Sequence, residues 1–457
     1  MKIYELVFVI YWLTQGYCTS DIHVGYQISL AIPTSYSRGF IGRAFLMETD
    51  NQMEPNFRAA ISVEANNEKY TCSLDVFLGD VKVWSSGHLS QFYTMDKCAL
   101  ALTQYGDLLL KGQDDRVGWK AGTSGQHVKR LHLLGTGNLV LVDALNLIKW
   151  QSFNFPTNIM LWGQRLSSRT QLTSFPSSSS LSYSFEIQYD KIALYLYSGK
   201  SKYSYWEYTP LELDGQNITY VELTSNALEI FNNENHRIGR IKSENPEPLR
   251  FLALGNSTGN LRFYYYSPDK GKFVASYKAL NTTCDLPLAC KPYGICTFSD
   301  KCSCIRLIKK GDGVLSDCTE NVTGGFCGRN ESQMLELQGV TNVLRSNPYK
   351  DNVGKEICAN LCLDNCTCDD PTKLGECYMY GLARGVKQIE RNGRLSYMIK
   401  VPKETDQGHD THSHWKKWIS IVVGVVDGVV LLLVLGGIGY YVIRKRRKSC
   451  ANTDHGN

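Results

Sequence analysis

The fold is decided by a repeated stretch whose clearest copy is Leu102–Leu110, which reads LTQYGDLLL. A second copy, Gly135–Leu141, reads GTGNLVL, so both copies place a glycine and an acid or amide before an aliphatic run. In each copy a tryptophan, Trp119 or Trp150, stands thirteen positions after the glycine that precedes the acid or amide. Aliphatic runs separated by polar turn residues are typical of short β-strands.

A third and weaker copy lies upstream, where Thr71–Val76 leads to Trp84 over the same thirteen positions. A strand-turn-strand unit of this length cannot bury its own apolar face, so three such units must share one core. We expect them to surround one axis with their tryptophans pointing inward, where the indole rings pack. The sequence therefore predicts an all-β prism with internal pseudo-threefold symmetry.

The repeat resembles the strand motif Leu-Thr-x-Asp-Gly-Asn-Leu-Val-Leu of the bulb-type, or monocot mannose-binding, lectins of plants. The stretch Trp150–Asn158, WQSFNFPTN, resembles the Trp-Gln-Ser-Phe-Asp-x-Pro-Thr-Asp segment of the plant S-domain family, which comprises S-locus glycoproteins and their receptor kinases. The resemblance covers essentially the whole extracellular part and is strongest for kinase-less membrane proteins with a PAN domain. It implies a mainly β chain with tandem bulb-lectin β-prism domains, a small disulfide-rich EGF-like module, a PAN/apple α+β domain and a single transmembrane helix.

The domain boundaries follow from this resemblance and from shifts in composition. Tyrosine-rich alternating stretches after the first prism, with Gly259-Asn260-Leu261 in the repeat position, predict a second, degenerate copy, and the serine-rich segment 174–184 has the composition of a linker or exposed loop. The expected extracellular domains are the bulb-type lectin domain at 21–153, the second lectin-like domain at 154–283, the EGF-like module at 284–318 and the PAN/apple domain at 319–402.

Both ends of the chain carry targeting signals. Residues 1–20 have a basic start, an apolar run and a small-residue cleavage region, which are typical of a secretory signal peptide. Residues 418–443 are long and apolar enough to cross a bilayer, and the basic residues that open the tail at 444–457 predict a cytoplasmic C-terminus. With 403–417 as a juxtamembrane stalk, we expect a single-pass type I protein of the plasma membrane with an extracellular ectodomain.

Composition argues against several function classes. The formal net charge of +5 is concentrated in the tail, so a nucleic-acid partner gains no support. Motifs for nucleophilic catalysis, phosphate binding or zinc-dependent hydrolysis are missing from the sequence, and we expect neither an enzyme nor a cofactor. The histidines in the stalk could hold a metal weakly, but their flexible polar surroundings favour a stalk, and no metal site is predicted: His409, His412 and His414.

The cysteines agree with export. Sixteen are present, and setting aside Cys18 in the signal peptide and Cys450 in the tail leaves an even fourteen in an oxidising compartment. The family resemblance implies pairs within the EGF-like and PAN regions and leaves four cysteines to pair among themselves. The expected bridges are Cys284–Cys296, Cys290–Cys302, Cys304–Cys318, Cys362–Cys368, Cys358–Cys377, Cys327–Cys366 and Cys72–Cys98.

Six Asn-x-Ser/Thr sequons mark an exposed, secreted surface. The sequon that overlaps the cysteine-rich PAN motif is the least accessible, because its neighbour Cys366 is expected to form a bridge. The predicted N-glycosylation sites are Asn217, Asn256, Asn281, Asn321, Asn330 and Asn365.

In the lectins that this chain resembles, mannose binds to Gln-x-Asp-x-Asn-x-Val-x-Tyr on one strand, whose alternate side chains share a face. Carried over by position, the first pocket reads Glu68, Tyr70, Cys72, Leu74 and Val76, the middle pocket reads Thr103, Tyr105, Asp107, Leu109 and Lys111, and the third reads Leu134, Thr136, Asn138, Val140 and Val142. Only Asn138 and Val140 keep the family identities, so the prism is interpreted mainly as a scaffold. The remaining candidate carbohydrate-binding residues are Thr103, Tyr105 and Asp107 in the middle pocket, with Asn138 and Val140 in the third.

Within the predicted membrane segment, Gly424 and Gly428 stand four residues apart around Asp427. Small residues at this spacing let helices approach closely, and an ionisable group in lipid usually faces a partner. We therefore predict a lateral contact through these three residues with a second copy or with a receptor kinase.

Two functions remain open on sequence grounds. The first is a cell-surface lectin-like receptor or co-receptor without a kinase, which binds an extracellular glycan, peptide or protein ectodomain and acts through a receptor-kinase partner. The second is a structural adhesion glycoprotein of the cell wall with no signalling role. The module order resembles the receptor family, which favours the first function by analogy.

Overall fold

The computed structural model describes residues 21–50, 54–66, 68–175, 181–211, 215–305, 332–345, 350–351, 353–365, 368, 370–373, 376–390, 396–402, 428–441 and 443–444. The described residues up to Val401 form one compact unit, and the helical residues from 428 onward belong to a second unit.

The first prism consists of three antiparallel sheets with one construction rule. Each sheet takes one strand from the N-terminal segment and three consecutive strands that form a meander: β1-β11-β12-β13, β2-β8-β9-β10 and β3-β4-β5-β6, with β7 paired to β5. This arrangement confirms the predicted pseudo-threefold prism. The strands are β1 Asp21–His23, β2 Gln27–Ala31, β3 Ile41–Glu48, β4 Phe57–Asn66, β5 Lys69–Leu78, β6 Val81–Ser85, β7 Phe92–Thr94, β8 Lys97–Leu102, β9 Leu108–Lys111, β10 Val117–Lys120, β11 Arg130–Leu133, β12 Leu139–Val142 and β13 Ile148–Gln151.

Three tryptophans meet at the axis of the first prism. The ring centroids of Trp84 and Trp119 are 6.4 Å apart, and both lie 5.8 Å from that of Trp150, each pair in an edge-to-face arrangement. This geometry suits the aromatic quadrupole. The indole Nε1 of Trp84 donates a hydrogen bond to the carbonyl oxygen of Phe155 at 2.9 Å, which satisfies its polar group inside the core. The inward orientation expected from the sequence is confirmed.

The second prism repeats this construction. Its sheets are β14-β23-β24-β25, β15-β20-β21-β22 and β16-β17-β18-β19, so the three leading strands again join the three meanders in reverse order. Part of the segment 174–184 expected as a linker is strand β17 instead. The strands are β14 Ile159–Leu161, β15 Arg165–Ser167, β16 Leu172–Thr173, β17 Leu181–Ile187, β18 Ile192–Ser198, β19 Ser201–Tyr208, β20 Ile218–Leu223, β21 Ala227–Asn232, β22 Arg237–Lys242, β23 Leu249–Leu254, β24 Leu261–Ser267 and β25 Lys272–Lys278.

We call the place that the tryptophan occupies on the third strand of each meander of the first prism the axial position. In all six meanders the pairing of the second and third strands shifts register next to the residue that pairs with this position. In the second prism the residues at the axial position are Trp206, Gly239 and Tyr277, which pair with Leu194, Ile230 and Phe263. Gly239 leaves room for Pro210, whose Cβ lies 3.1 Å from the place of a glycine Cβ. The second prism therefore has the same register shift in its meanders but lacks the tryptophan triad.

The two prisms pack on each other through an apolar contact. Phe251 of β23 belongs to the core of the first prism, and Tyr264 and Phe273 pack against that core. The buried guanidinium of Arg250 donates hydrogen bonds to the carbonyl oxygens of Glu54 and Pro55 at 2.9 and 3.1 Å. The two prisms therefore share a continuous interface rather than a linker.

The EGF-like and PAN regions are joined by a shared sheet. Strand β26 pairs in parallel with β33 in the order β27-β26-β33-β29, and a second sheet, β28-β34-β31-β32-β30, lies beside the helix α1. The elements are β26 Gly294–Cys296, β27 Cys302–Cys304, β28 Ser332–Leu337, β29 Val340–Asn342, β30 Lys350–Asp351, α1 Lys355–Asp364, β31 Asp370–Lys373, β32 Glu376–Tyr380, β33 Val386–Gln388 and β34 Ser396–Pro402.

Five of the expected cysteine pairs are bonded in the structure. They are Cys72–Cys98, Cys284–Cys296, Cys290–Cys302, Cys358–Cys377 and Cys362–Cys368. Cys304 is also disulfide-bonded. Its expected partner Cys318, and the expected pair Cys327–Cys366, lie outside the described residues.

The second unit contributes the helical residues 428–441 and 443–444, whose large apolar side chains are exposed. Among the described residues, no helix reaches the length and apolarity that a membrane crossing requires. Of the predicted membrane contact, Gly428 is the first described residue of the helical segment, whereas Gly424 and Asp427 lie outside the described residues. The predicted signal peptide, the histidines of the stalk and the sequons at Asn321 and Asn330 also lie outside them.

Candidate functional site: the outer faces of the first prism

Each sheet of the first prism has an inner side in the core and an outer side that could bind a ligand. We call these outer sides the first face (sheet β3-β4-β5-β6), the middle face (sheet β2-β8-β9-β10) and the third face (sheet β1-β11-β12-β13). The predicted pocket residues were assigned to these three faces, so the register of each sheet decides which of them point outward.

The predicted first pocket is one residue out of register with the strand β5. One aliphatic residue pairs with each axial tryptophan: Val76 with Trp84, Leu110 with Trp119 and Leu141 with Trp150. The two members of a pair are eight positions apart in the first unit and nine positions apart in the other two. The sequence alignment that starts at Thr71 is therefore shifted by one residue. A slip of one residue turns every side chain to the opposite side of a strand.

The consequence is that the predicted first pocket faces the core. Tyr70, Cys72, Leu74 and Val76 are buried members of the core cluster, and the prediction of a pocket there was wrong. Glu68 stands at the β4–β5 turn with a positive φ of 65°. The residues of β5 that truly point outward are Thr71, Ser73, Asp75 and Phe77, because they alternate with the core residues.

The first face is closed by an ion-pair network. Asp75 is 0 % exposed, accepts a hydrogen bond from the Ser85 hydroxyl at 2.7 Å, and lies 3.0 Å from the Lys82 ammonium. The Lys82 ammonium also donates to Glu64 at 2.8 Å, and the Arg43 guanidinium lies 3.5 Å from the Glu64 carboxylate. The charged groups of this face are thus paired with one another, and the Ser62 hydroxyl, which makes no hydrogen bond among the described residues, is buried away from a ligand.

The pKa values of Glu64 and Lys82 at the first face agree with an ionised pair. Burial raises the pKa of Glu64, but the hydrogen bonds and charges of Lys82 and Arg43 outweigh it and hold that pKa below its usual value. Burial likewise lowers the pKa of Lys82, but the carboxylates of Asp75 and Glu64 outweigh it and raise that pKa. Glu64 and Lys82 are therefore both charged at neutral and mildly acidic pH.

The third face is closed in a similar way. Val140 points outward, in one cross-strand row with Asp21, His132 and Gln151, yet it is only 1 % exposed. The Asp21 carboxylate lies 2.5 Å from Nδ1 of His132 and accepts a hydrogen bond from Arg130 at 2.6 Å. Val140, a candidate carbohydrate-binding residue, is therefore covered on this face.

Asn138 and Asp107 clamp the backbone of their own meanders. The Oδ1 atom of Asn138 accepts hydrogen bonds from the Ser152 hydroxyl at 3.2 Å and the Phe153 amide at 3.3 Å. The Oδ1 atom of Asp107 accepts hydrogen bonds from the amides of Gly122 and Thr123 at 2.9 and 3.0 Å. Both side chains thus hold the chain where it leaves the third strand of the meander.

The second prism contains the same clamp. Asn260 donates to the carbonyl oxygen of Leu280 at 2.8 Å and accepts from its amide at 3.1 Å. The glycine-acid-or-amide-leucine motif therefore encodes a structural bond wherever it occurs. The sequence analysis did not predict this structural role. The signal for it was the third occurrence of the motif, at Gly259-Asn260-Leu261 in the second prism.

Thr103 and Tyr105 lie in the turn before β9. The Thr103 hydroxyl oxygen accepts a hydrogen bond from the Asp107 amide at 3.1 Å, whereas the Tyr105 side chain is 79 % exposed. Gly106 has a φ of +82°, and a Cβ there would lie 2.9 Å from Val128, so only glycine fits this turn. Of the five predicted carbohydrate-binding residues, Tyr105 is the one whose side chain reaches into solvent.

The middle face is organised in two cross-strand rows around a floor of small side chains. Ala99 and Ala101 of β8 point outward at the centre and are 1 % and 5 % exposed. Going from β2 to β10, the first row is Gln27, Ala101, Leu109 and Lys120, and the second row is Ser29, Ala99, Lys111 and Val117. Sequence reasoning included Leu109 and Lys111 in the middle pocket but missed Gln27, Ser29 and Lys120, because they come from strands that carry no family motif.

The charge of the middle face differs from that of the other two. Lys111 and Lys120 have no salt bridge within the described part of the chain, whereas Lys97 pairs with Asp115 at 3.3 Å. Arg116 and Asp114 stand in the β9–β10 turn, and the Arg116 guanidinium lies 5.7 Å from the ring of Phe92. Four cations, Lys97, Lys111, Lys120 and Arg116, less three carboxylates, Asp96, Asp114 and Asp115, leave this face and its turns with a local charge of +1.

Two sheets of the second prism contact neighbouring domains, one through its outer face and one through the edge of strand β19. The sheet that contains β23 and β24 packs on the first prism, as described above. The sheet that contains β19 contacts the PAN region, where the Tyr203 hydroxyl accepts a hydrogen bond from the Gly381 amide at 2.8 Å and Arg345 lies 3.5 Å from Glu207. Neither of these described contacts involves the middle face of the first prism.

Comparisons with known proteins agree with the fold. Residues 83–180 match the family model described as D-mannose binding lectin. The chain is 24 % identical over 386 residues to a G-type lectin S-receptor-like serine/threonine-protein kinase of Arabidopsis thaliana, with 80 % of this chain and 46 % of the relative covered. It is 28 % identical over 288 residues to a PAN domain-containing protein of the same plant, with 58 % of this chain and 55 % of the relative covered.

Two solved structures are also similar. A monomeric monocot mannose-binding lectin from Gastrodia elata is 20 % identical over 29 % of this chain and 96 % of its own, with a TM-score of 0.19. The fetuin-binding two-domain agglutinin of Scilla campanulata is 15 % identical over 52 % of this chain and 94 % of its own, with a TM-score of 0.18. At these TM-scores the likeness carries no conclusion about function.

The fold and the family match define the class of protein, which is a mainly β protein with a bulb-type lectin domain. More particularly, the chain is similar to plant S-receptor-like kinases and to a PAN domain-containing protein, which agrees with the resemblance seen in the sequence. The chain spans about half the length of the curated relatives it matches.

Proposed function

We propose that this protein is a single-pass receptor-like protein or co-receptor of the plasma membrane that binds an extracellular glycan through the middle face of its first prism. In this proposal ligand binding is transmitted through a receptor-kinase partner. The observation that carries the proposal is the contrast between the faces, because ion pairs close the first and third faces and leave the middle face open.

The energetic argument rests on what a sugar requires. A sugar is bound by hydrogen bonds to its hydroxyl groups and by packing of its apolar side on flat or aliphatic surfaces. On the first face a sugar would have to displace Lys82 from the fully buried Asp75, and a buried group left unpaired costs about 1–3 kcal/mol. On the third face it would have to displace Arg130 from the partly buried Asp21. The middle face offers exposed Gln27 and Ser29 without that cost.

The location follows from several features that point the same way. Disulfide bonds in the described ectodomain agree with an oxidising compartment. The apolar residues 418–443, followed by basic residues, support a membrane anchor, and the relatives named as receptor-like kinases support a signalling context. A partner kinase contacted through Gly424, Asp427 and Gly428 remains part of this proposal.

A glycan array with the full-length chain in detergent tests the proposal. The variant Ala101→Phe fills the floor of the middle face, and we expect at least a tenfold loss of binding to whichever glycan the unmodified chain retains. Ala144→Phe is the matched control, because Ala144 is an exposed alanine in the β12–β13 turn of another sheet. We expect Ala144→Phe to bind as the unmodified chain does.

Two results would contradict the proposal. The first is unchanged glycan binding by Ala101→Phe, which would place the ligand elsewhere. The second is the absence of any bound glycan together with salt-resistant retention of the chain in cell-wall material and no ligand-dependent kinase partner, which would favour the structural adhesion function.

A further inference from the structure

The middle face carries positive charge, which the binding of a neutral sugar does not require. The fifth position of the middle pocket is Lys111, and Lys120 stands in the adjacent strand. Both point outward, since the residues that alternate with them, Leu110 and Trp119, belong to the core side of the sheet. A ligand lying on Ala99 and Ala101 would therefore meet two ammonium groups along one edge.

The spacing of the two lysines follows from the register. Lys120 is directly opposite Leu109, and Lys111 lies two residues further along the same strand as Leu109. Diagonal neighbours of this kind have Cα atoms roughly 7–8 Å apart, within reach of a single charged group or of two successive ones. Neither ammonium group has a salt-bridge partner among the described residues, so both are available to an incoming anion.

The opposite edge of the face provides neutral polar groups. Gln27 and Ser29 on β2 are exposed and occupy the two rows that contain Lys120 and Lys111. The four strands span about 14 Å from edge to edge at the usual spacing of neighbouring strands. A ligand that fills this width needs hydroxyl groups toward β2, an apolar side over the alanine floor and Leu109, and negative charge toward β9 and β10.

We propose that the middle face binds a carboxylate-bearing glycan, of the uronic acid class, with its carboxylates on Lys111 and Lys120. This inference rests on the proposed function and adds the chemical class of the ligand. The two lysines provide the charge recognition, whereas Gln27 and Ser29 bind the hydroxyl groups. Because the ion pairs would form on a solvent-exposed face, added salt weakens the binding.

The test uses galacturonic acid oligosaccharides of one length in two forms, the free acid and the methyl ester, titrated into the full-length chain in detergent. The two forms share their hydroxyl groups and ring shape and differ in charge. We expect the free acid to bind at least tenfold more tightly than the ester. Raising the salt concentration from 50 to 500 mM is expected to reduce that difference, as screening requires.

The matched variants separate the two lysines from the general charge of the prism. The double variant Lys111→Gln with Lys120→Gln is expected to lose at least tenfold in affinity for the free acid and to keep the affinity for the ester. Lys129→Gln is the control, because Lys129 is an exposed lysine that precedes β11, outside the middle face. Thermal unfolding of each variant verifies that the fold is kept.

Equal affinity for the acid and the ester, or unchanged binding by the double variant, would overturn the inference. If neutral glycans bind and Ala101→Phe abolishes that binding, the proposed function stands and the uronic acid class is wrong. If no glycan of either charge binds, both the inference and the glycan-binding function are wrong.

Discussion

The two prisms share one backbone and differ in what their surfaces can do. Both join three leading strands to three meanders in reverse order, and all six meanders carry the same register shift. The first prism keeps three axial tryptophans and an open middle face, whereas the second has Trp206, Gly239 and Tyr277 at the axis and contacts its neighbours through one outer face and one strand edge. Backbone pairing therefore preserves the fold although the second prism lacks the tryptophan triad.

The largest expected effect concerns the axial residues. Replacing Trp150 with alanine removes a buried indole from the triad, and we expect the free energy of unfolding to fall by about 3–5 kcal/mol. The counterpart in the second prism, Tyr277→Ala, is expected to cost less, because Tyr277 is only half-buried and one of the other two axial residues is Gly239. Urea unfolding measures both variants, and equal losses would contradict the distinction between the two axes.

The next effect concerns the backbone clamps, which the two prisms share. Removing the clamp side chain in Asn138→Ala or Asn260→Ala leaves buried backbone groups unpaired, and each variant is expected to lose about 1–3 kcal/mol of unfolding free energy. Glycan affinity of the folded chain is expected to remain unchanged. A selective loss of binding by Asn138→Ala, with stability intact, would instead restore Asn138 as a carbohydrate-binding residue.

These clamps also mark the limit of what the sequence could predict. Motif spacing was sufficient for the prism, for the inward tryptophans and for the existence of a second copy, because these depend on local strand patterns and on a shared core. The outer faces depend on the register of each sheet. In the first unit Val76 and its partner Trp84 are one position closer in sequence than the corresponding pairs of the other two units, and the equal spacing of thirteen positions from Thr71 does not reveal this difference. Gln27, Ser29 and Lys120 carry no motif, so only the pairing of β2, β8, β9 and β10 brings them together.

A smaller effect is expected at the contact between the prisms. His88 follows β6 of the first prism and is buried, and its Nε2 donates to the carbonyl oxygen of Thr173 in β16 of the second prism at 2.8 Å. Burial lowers the pKa of His88, and the hydrogen bond to Thr173 offsets only part of that shift. A histidine with a depressed pKa in the folded state contributes full stability above its unfolded value of about 6.5 and loses it as the pH falls below that value.

We therefore expect the unfolding free energy to decline below about pH 6.5, by at most about 1.4 kcal/mol per pH unit from this group. His88→Gln should flatten that part of the profile. His236→Gln is the control, because His236 is exposed on β21–β22 of the second prism. A profile that His88→Gln leaves unchanged would show that another group causes the decline.

The smallest effect concerns the contact between the second prism and the PAN region. Arg345 and Glu207 are 3.5 Å apart, and the arginine side chain is largely exposed. Exposed ion pairs contribute up to about 1 kcal/mol, so Arg345→Ala is expected to lower the unfolding free energy by less than that. A loss of several kcal/mol, measured by urea unfolding, would mean that the PAN contact depends on this pair far more than its exposure suggests.

The central claim is that the middle face of the first prism is the ligand-binding surface, and lysine acetylation footprinting tests it most directly. The full-length chain is acetylated with and without the free-acid galacturonic oligosaccharide, and the modified lysines are identified by mass spectrometry. We predict that the ligand protects Lys111 and Lys120 and leaves Lys129 unchanged. Unchanged reactivity of Lys111 and Lys120, with protection of lysines on the second prism instead, would contradict the claim.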